Sequence, residues 1–271
     1  MLAASKVGFI GGGNMGEALI KGLLTSERLA PEQISVSDVR HDRLLYLQNN
    51  YGVHTTEDNG SLARDTDIMI LAVKPQNLEE VVAELKGNLA HSPLLISIVA
   101  GVSLHRLQSG LVAAIPMVRV MPNAAALVLE GASAIAPGEH ATAEHLAAAR
   151  VLFESVGKVV EVKETDMDAV TGLSGSGPGY ILLFMEALID AGVFLGLSRS
   201  VARDLVVQTT LGTARLLAQS DEHPATLRDR VTSPAGTTIN GLQVMERAAL
   251  RATLIDAVAA ATERARALGK K

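Results

Sequence analysis

Cysteine is absent from all 271 residues of the sequence. Disulfides, thiolate metal sites and cysteine nucleophiles are therefore excluded, together with any secreted scaffold that depends on disulfides. Residues 1–6 also lack the charged region and the longer apolar stretch that a signal peptide needs. These features predict a cytoplasmic location.

Aromatic residues are scarce, and tryptophan is missing altogether. Aromatics make up 3% of a chain that is 48% hydrophobic, so the core must be built mainly from Ala, Val, Leu and Ile. The formal net charge is −5, and Lys and Arg form no concentrated run. Because a nucleic-acid-binding protein usually carries a basic face, no nucleic-acid partner is expected.

Long uninterrupted apolar runs are missing as well. The longest apolar segment, residues 180–197, is interrupted by Glu186 and Asp190 and is too short and too charged for a membrane span. We expect a buried helix there and no membrane partner. The seven histidines show no ligand spacing, since His140 and His145 lie on different faces of a helix. No metal site is expected.

Up to about residue 160, β-rich runs alternate with helical stretches, which predicts crossover helices and a mainly parallel sheet. The predicted strands are residues 6–10, 34–38, 67–73, 94–98 and 118–121. Only helical segments follow, at residues 166–196, 199–218, 238–247 and 249–268. We therefore predict an α/β domain over residues 1–161 and an all-α domain over residues 162–271.

A glycine-rich loop, Gly11-Gly12-Gly13-Asn14-Met15-Gly16, follows the first predicted strand and opens a helix. The pattern alone is weak evidence, but its position is that of a Rossmann-type dinucleotide site. Gly11 permits the tight turn, Gly13 lets the backbone approach a pyrophosphate, and Gly16 allows close packing of helix on strand. The pyrophosphate would bind the free amides and the positive end of that helix.

The residue that reads the adenosine ribose is expected about 20 positions after the loop, and Asp38 lies there. A carboxylate would bond the ribose hydroxyls, repel a 2′-phosphate and favour NAD. Arg40 would instead pair with a 2′-phosphate and favour NADP. The sequence leaves NADP(H) and NAD(H) both open.

Several further blocks carry a family resemblance. They are Asn59 and residues 71–75 (Leu-Ala-Val-Lys-Pro), 97–102, 121–123 (Met-Pro-Asn), 168–178, 231–234 and 236–238. Along essentially its whole length the chain resembles pyrroline-5-carboxylate reductase. The resemblance implies an NAD(P)H-dependent reduction of 1-pyrroline-5-carboxylate to L-proline, the last step of proline biosynthesis.

The resemblance also implies the residues that line the cofactor: Ile10, Gly11, Gly12, Gly13, Asn14, Met15, Ser37, Asn59, Ala72, Val73, Lys74, Pro75, Ile98, Val99 and Ala100. Our interpretation of the residues agrees, because ligands of an open parallel sheet bind beyond the carboxyl ends of its strands. We expect Lys74 to shape the site through the backbone of its turn rather than to donate a proton.

In the helical domain, the resemblance implies that Ser233, Thr237 and Thr238 bind the substrate, with Glu164 nearby. Hydroxyls and free amides at a helix start suit a small carboxylate. The blocks that would bind the substrate contain no His or Cys that could serve as an obvious acid. The substrate is therefore expected to react as an iminium, with the catalytic Thr238 hydrogen-bonding the ring nitrogen. Orientation would then supply most of the catalysis.

The chain departs from the family pattern at three places. Ala124-Ala125 stands where the family usually has Thr-Pro, Gly179 where it generally has Ala, and Arg230 where some members have a cofactor-contacting Asn. The first leaves the geometry of that loop open. None removes a residue that the chemistry requires.

Two other functions stay open. One is a related reductase for another cyclic imine or a 3-hydroxy acid, although the latter usually needs a lysine that residues 166–196 lack. The other is a dinucleotide-binding sensor without turnover.

Surplus apolar residues in the helical domain, such as Leu182-Leu183-Phe184-Met185 and Leu216-Leu217, predict a homodimer. The resemblance implies dimers that assemble into larger rings, such as a decamer of five dimers. Exchange of helices between subunits would bring residues 233–238 of one chain to the cofactor of its partner.

Overall fold

The computed structural model describes residues 5–111 and 114–269. Its chain divides into two compact units, one that ends at Ser176 but also takes in the chain from Ala260 onward, and one that spans Gly177–Ala259. The predicted boundary after residue 161 stays a prediction. Residues 1–4, part of the segment used to judge the absence of a signal peptide, lie outside the described residues.

An eight-stranded sheet forms the centre of the first unit, in the order β3-β2-β1-β4-β5-β6-β7-β8. Only β6 and β7 pair antiparallel among these described strands, and all the other neighbours are parallel. The predicted mainly parallel sheet is confirmed. Its strands are β1 (Val7–Ile10), β2 (Ile34–Ser37), β3 (His54–Thr56), β4 (Ile68–Leu71), β5 (Leu94–Ser97), β6 (Met117–Met121), β7 (Gly131–Pro137) and β8 (Gly157–Glu161).

Helices cover both faces of this sheet. They are α1 (Asn14–Thr25), α2 (His41–Tyr51), α3 (Asn59–Asp65), α4 (Leu78–Leu85), α5 (Leu104–Leu111), α6 (Ala143–Glu154) and the short α7 (Met167–Val170). Successive side chains of a strand point to opposite faces. Accordingly Ile68 and Ile70 join one core with α1 and α6, whereas Met69 and Leu71 join the other with α3, α4 and α5.

Three of the eight described strands, β3, β7 and β8, were not predicted from the sequence. β3 has only three residues, and β7 has three alanines among its seven residues, although alanine has little intrinsic preference for strands. β7 and β8 start at Gly131 and Gly157, where a Cβ on Gly157 would collide with the Gly131 backbone. Pairing between neighbours, rather than local propensity, therefore forms this edge.

The second unit contains α8 (Gly177–Phe194), α9 (Arg199–Ala218), α10 (Pro224–Arg230), α11 (Thr237–Arg247) and the first half of α12 (Leu250–Gly269). The predicted helical segments are confirmed apart from their ends, and α10 was missed. Ser198 caps α9, because its hydroxyl accepts the N–H of Val201 at 3.4 Å.

The predicted helical segment 166–196 is not one regular α-helix. Residues Thr171–Gly175 form a π-helical turn between α7 and α8, and α8 begins at Gly177. Gly175 lets Met121 come close, since a Cβ there would lie 2.8 Å from the methionine Cε.

The prediction that residues 180–197 are buried is wrong for the single chain. Within the described chain α8 has no buried residue, and Leu182 and Leu183 are 64% and 67% exposed. Within the described residues, the helical run Glu164–Phe194 is the one stretch long and apolar enough to cross a membrane. A single helix of this kind is weak evidence of a membrane protein. Its apolar face is not covered by its own chain.

Candidate active site

The glycine loop turns sharply between β1 and α1. Gly11 has φ +102°, a backbone conformation that favours glycine, and its N–H donates to the carbonyl of Ser37 at 2.8 Å. A Cβ on Gly11 would lie 2.7 Å from the carbonyl oxygen of Ala72, and a Cβ on Gly16 would lie 2.6 Å from the Gly11 oxygen. The backbone of the turn is therefore packed tightly against α1 and the end of β4.

The start of α1 is open toward a ligand. Gly13 is the N-cap residue and offers no capping side chain. Apart from Gly13 itself and its two chain neighbours, no heavy atom of the described residues comes within 4 Å of where its Cβ would be. The first four N–H groups of a helix have no partner within the helix, and anions bind there readily. These features fit the pyrophosphate of a dinucleotide.

The carboxyl ends of β1, β4 and β5 meet beside this loop. The N–H of Ala72 donates to the Ile10 carbonyl at 2.8 Å, and that of Ile98 donates to the Leu71 carbonyl at 3.1 Å. From β1 the chain first builds the sheet in one direction, through β2 and β3, and then in the other, from β4 onward. Open α/β sheets bind their ligands at the point between these two directions, here between β1 and β4. The predicted cofactor segments, residues 10–15, 72–75 and 98–100, are thus brought together at one edge.

Lys74 lies in that edge with an exposed side chain. It is the N-cap of a 3₁₀ turn, Pro75–Asn77, and Asn77 donates its N–H to the Lys74 carbonyl at 3.0 Å. This geometry agrees with a role of the backbone in shaping the wall, which stays a prediction.

Ser37 and Asn59 are joined at the end of β2. The Ser37 hydroxyl donates to Asn59 Oδ1 at 2.5 Å, and Asn59 Nδ2 donates to Glu84 Oε2 at 2.6 Å. The Glu84 carboxylate therefore fixes which way the Asn59 amide faces. The predicted cofactor roles of Ser37 and Asn59 are compatible with this position.

Asp38 is turned toward the glycine loop. Its Oδ2 accepts the N–H of Gly12 at 2.9 Å and its Oδ1 accepts the N–H of Arg40 at 3.0 Å. The Arg40 Nε lies 3.7 Å from the same carboxylate, but the Arg40 side chain is 57% exposed against 12% for Asp38. Both residues that bear on cofactor choice therefore stand side by side, with the guanidinium nearer to solvent.

The predicted substrate turn lies in the second unit. Ala235 has φ +55°, Gly236 donates its N–H to the Ser233 carbonyl at 3.1 Å, and α11 begins at Thr237, one residue earlier than predicted. Gly236 is an N-cap without a capping side chain among the described residues. Like Gly13 in α1, it leaves the first amides of a helix open, here with Thr237 and Thr238 beside them.

Glu164 belongs to the first unit and has partners there. Its Oε1 accepts the N–H of Leu104, the first residue of α5, at 2.5 Å and lies 3.5 Å from an Nη of Arg119, which is almost completely buried. The carboxylate thus serves the start of α5. A substrate contact by Glu164 stays a prediction.

Two of the positions that depart from the family pattern, Ala124-Ala125 and Arg230, are held by contacts with other residues. Asn123 Oδ1 accepts the N–H groups of Ala125 at 3.2 Å and Ala132 at 3.1 Å, so the Ala124–Val128 turn is held without the Thr-Pro pair. Arg230 forms an ion pair with Glu222 at 2.6 Å. Over the described residues, no cluster of three His, Asp or Glu side chains is arranged to hold a metal ion.

Comparison with protein families gives two matches. Residues 6–101 match the family described as NADP oxidoreductase coenzyme F420-dependent, and residues 164–268 match the family described as pyrroline-5-carboxylate reductase dimerisation.

Known proteins similar to this chain cover nearly all of it. The pyrroline-5-carboxylate reductase of Methanosarcina acetivorans is 48% identical over 98% of both chains. Among solved structures, the Coxiella burnetii enzyme is 38% identical with a TM-score of 0.94, over 98% of this chain and 99% of its own. The chain belongs to the pyrroline-5-carboxylate reductase family.

A third relative, the Plasmodium falciparum pyrroline carboxylate reductase, was solved with NADP bound. It is 35% identical with a TM-score of 0.89, over 99% of this chain and 100% of its own. Family membership establishes an NAD(P)-dependent oxidoreductase with a Rossmann-like domain followed by a helical dimerisation domain, as the sequence predicted.

Sequence reasoning missed one group of side chains at the site. Arg43, on α2, donates to the carbonyls of Gly12 and Gly13 and pairs with Glu17, although it lies about 30 positions from the loop. No motif or spacing in the sequence connects these residues, because only the packing of α2 against α1 brings them together.

Proposed function

We propose that the chain reduces 1-pyrroline-5-carboxylate to L-proline with NAD(P)H, the last step of proline biosynthesis. The observation that carries the proposal is the open start of α11, where Gly236 is an N-cap without a capping side chain, Ser233 precedes it, and Thr237 and Thr238 are the first helical residues. Such a turn suits a small carboxylate. The names of the relatives supply the identity of the imine.

In this proposal the residues of the chain bind and orient. The nicotinamide, when bound, supplies a hydride to the C=N carbon. Ser233, Thr237 and the first amides of α11 hold the ring carboxylate, and the Thr238 hydroxyl accepts the N–H of the iminium. Glu164 stays a predicted substrate-binding residue.

We further propose NADPH as the preferred cofactor. Both oxygens of Asp38 already accept backbone N–H groups, which leaves the carboxylate less available to ribose hydroxyls. The exposed guanidinium of Arg40 stands beside it, and guanidinium groups match the geometry of phosphates. The NADP-bound relative supports the same choice.

The exposed apolar face of the second unit supports a homodimer rather than a membrane helix. Isoleucine, leucine and phenylalanine side chains of α8 remain solvent-exposed in the single chain, and the matched family region is named for dimerisation. A decamer of five dimers, a cytoplasmic location and the lack of a nucleic-acid partner belong to the same proposal.

Purified protein tests the activity directly. NADPH oxidation is followed by absorbance with 1-pyrroline-5-carboxylate, with a homologous six-membered cyclic imine, and without imine, and the product is identified as L-proline. Oxidation that depends on the five-membered imine is expected. Faster turnover of the other imine would indicate the related reductase, and binding without oxidation would indicate the sensor.

A further inference from the structure

A cluster of four side chains backs the glycine loop on the side of α2. Arg43 donates from Nε to the Gly12 carbonyl at 2.5 Å and from an Nη to the Gly13 carbonyl at 3.5 Å. The same guanidinium pairs with Glu17 and lies 4.9 Å from the centre of the Tyr46 ring. The Arg43 side chain is only 14% exposed.

Glu17 is held by three donors. Besides Arg43, the hydroxyl of Tyr51 donates to Glu17 Oε1 at 2.7 Å and that of Tyr46 at 3.0 Å. Burial acts to raise the pKa of Glu17, but the hydrogen bonds from Arg43, Tyr51 and Tyr46 outweigh it and hold this pKa below its ordinary value of 4.5. Burial and the bond to Glu17 raise the pKa of Tyr51 to about 12. At neutral pH the carboxylate is charged and the phenol is not.

The negative charge of Glu17 is unfavourable for an anion bound at the start of α1. Glu17 lies in the first turn of α1, and its N–H donates to the Gly13 carbonyl at 2.9 Å. A carboxylate near a helix start uses the same positive end that would attract a phosphate. Without a cation beside it, Glu17 would repel a pyrophosphate bound there.

The carbonyl contacts of Arg43 act on the loop peptides. In a trans peptide the C=O and the N–H of the next residue point in opposite directions. When Arg43 holds the carbonyls of Gly12 and Gly13, the N–H groups of Gly13 and Asn14 face the other way. The planar guanidinium can bind both carbonyls and Glu17 at once, which a lysine ammonium on its flexible stem matches poorly.

We propose that Arg43 is a positioning residue for the dinucleotide pyrophosphate, which orients the loop amides and neutralises Glu17. It acts from behind the loop and without contact to the cofactor. The inference rests on the proposed function only in that the glycine loop binds the dinucleotide.

The test measures cofactor binding in Arg43→Gln. Titration of the protein with NADPH, NADH and ADP-ribose is expected to give dissociation constants raised about tenfold for all three. The affinity for 2′-AMP, which lacks a pyrophosphate, stays the same. The kcat at saturating NADPH changes less than about twofold, because the reacting groups are untouched.

Two further variants separate positioning from general stability. Arg28→Gln is the matched control, since Arg28 also donates to a backbone carbonyl, of Val151, and pairs with Glu154, but at the far end of α1. It should leave the dissociation constants unchanged. Adding Glu17→Gln to Arg43→Gln should restore part of the lost affinity, because the unpaired carboxylate is gone.

Three results would overturn the inference: unchanged affinity in Arg43→Gln, a loss confined to NADPH and 2′-AMP, or no restoration by Glu17→Gln. A loss confined to those two ligands would mean that Arg43 contacts the 2′-phosphate directly. Failure of the unsubstituted protein to bind any dinucleotide would contradict the proposed function instead.

Discussion

Both proposed ligand sites lie at the start of a helix. Gly13 before α1 and Gly236 before α11 are N-cap residues without a capping side chain, and Thr237 and Thr238 follow the second of them. The glycine loop before α1 is in turn held by other side chains. Asp38 accepts the N–H of Gly12, and Arg43 donates to the carbonyls of Gly12 and Gly13.

Thr238 is the residue whose removal should affect turnover most. We predict that Thr238→Ala lowers kcat by about ten- to a hundredfold, the loss expected for one hydrogen bond to a charged group. The dissociation constant for NADPH should remain within about twofold, because the proposed contact is with the substrate. Steady-state kinetics and cofactor titration measure the two quantities. Thr238→Ser keeps the hydroxyl and serves as the control, and unchanged turnover in Thr238→Ala would remove this residue from the mechanism.

Arg40 should set the choice of cofactor. Arg40→Ala is predicted to raise the dissociation constant for NADPH about tenfold, because a charge-assisted contact to the 2′-phosphate is lost. NADH, which has no such phosphate, should bind as before. Titration with both cofactors measures the change in preference, and an equal effect on the two would contradict the role of Arg40.

The residues proposed to touch the ligands could largely be predicted from the sequence. The loop glycines stood out by their spacing after a strand, and the hydroxyls of residues 233–238 followed from the family resemblance. The contacts of Asp38 and Arg43 with the loop could not be predicted, since each depends on packing between segments distant in sequence.

At the scale of secondary structure, local pattern predicted the elements with strong signals and missed those formed by pairing. The strand β4 and the helix α9 were predicted from the sequence. β7 was not, because its alanines and serine favour no strand and it forms between β6 and β8. The residues before α8 lie within the predicted helical segment 166–196, but the sequence did not predict that Thr171–Gly175 form a π-helical turn.

At the junction of β1 and α1, Gly11 is needed for the fold of the turn, whereas Gly13 is needed for the approach of the ligand. Gly11→Ala should lower the free energy of unfolding by about 1–3 kcal/mol, because alanine is strained at φ +102° and its Cβ would approach the Ala72 carbonyl. Gly13→Ala should change stability by less than about 1 kcal/mol, since its Cβ would meet no described atom beyond the neighbouring residues of the chain. It should nevertheless weaken NADPH binding, because the backbone approaches the pyrophosphate there.

Denaturant unfolding and cofactor titration of both variants measure this difference. Equal loss of stability in Gly11→Ala and Gly13→Ala would show that the loop is not built as described. Full cofactor affinity in Gly13→Ala would show that the pyrophosphate does not approach this glycine.

For the molecule as a whole, the second unit carries apolar surface that a single chain does not bury. The first unit buries its apolar strands between two layers of helices, whereas α8 leaves Phe194 89% exposed and both Leu182 and Leu183 more than half exposed. Apolar surface of this extent marks a protein interface. The sequence predicted the surplus correctly but misjudged α8 as buried, because the partner that would cover it is not in the same chain.

Charges on this face should disrupt the proposed dimer. Combining Leu182→Glu with Leu183→Glu is predicted to give a monomer, since unpaired carboxylates are costly to bury in an apolar interface. Size-exclusion chromatography with light scattering measures the mass at equal protein concentration. Leu45→Glu, at an exposed position on α2, is the control and should keep the mass of the unsubstituted protein. A double variant with that same mass would place the interface elsewhere.

In the proposed reaction, hydride passes from the nicotinamide to the C=N carbon of the five-membered imine. NADPH that carries deuterium at the transferred position tests it most directly, with the product analysed by mass spectrometry and NMR. We predict L-proline with one deuterium on the ring carbon that bonds nitrogen and does not carry the carboxylate. Proline without deuterium, or with deuterium on another carbon, would contradict the claim.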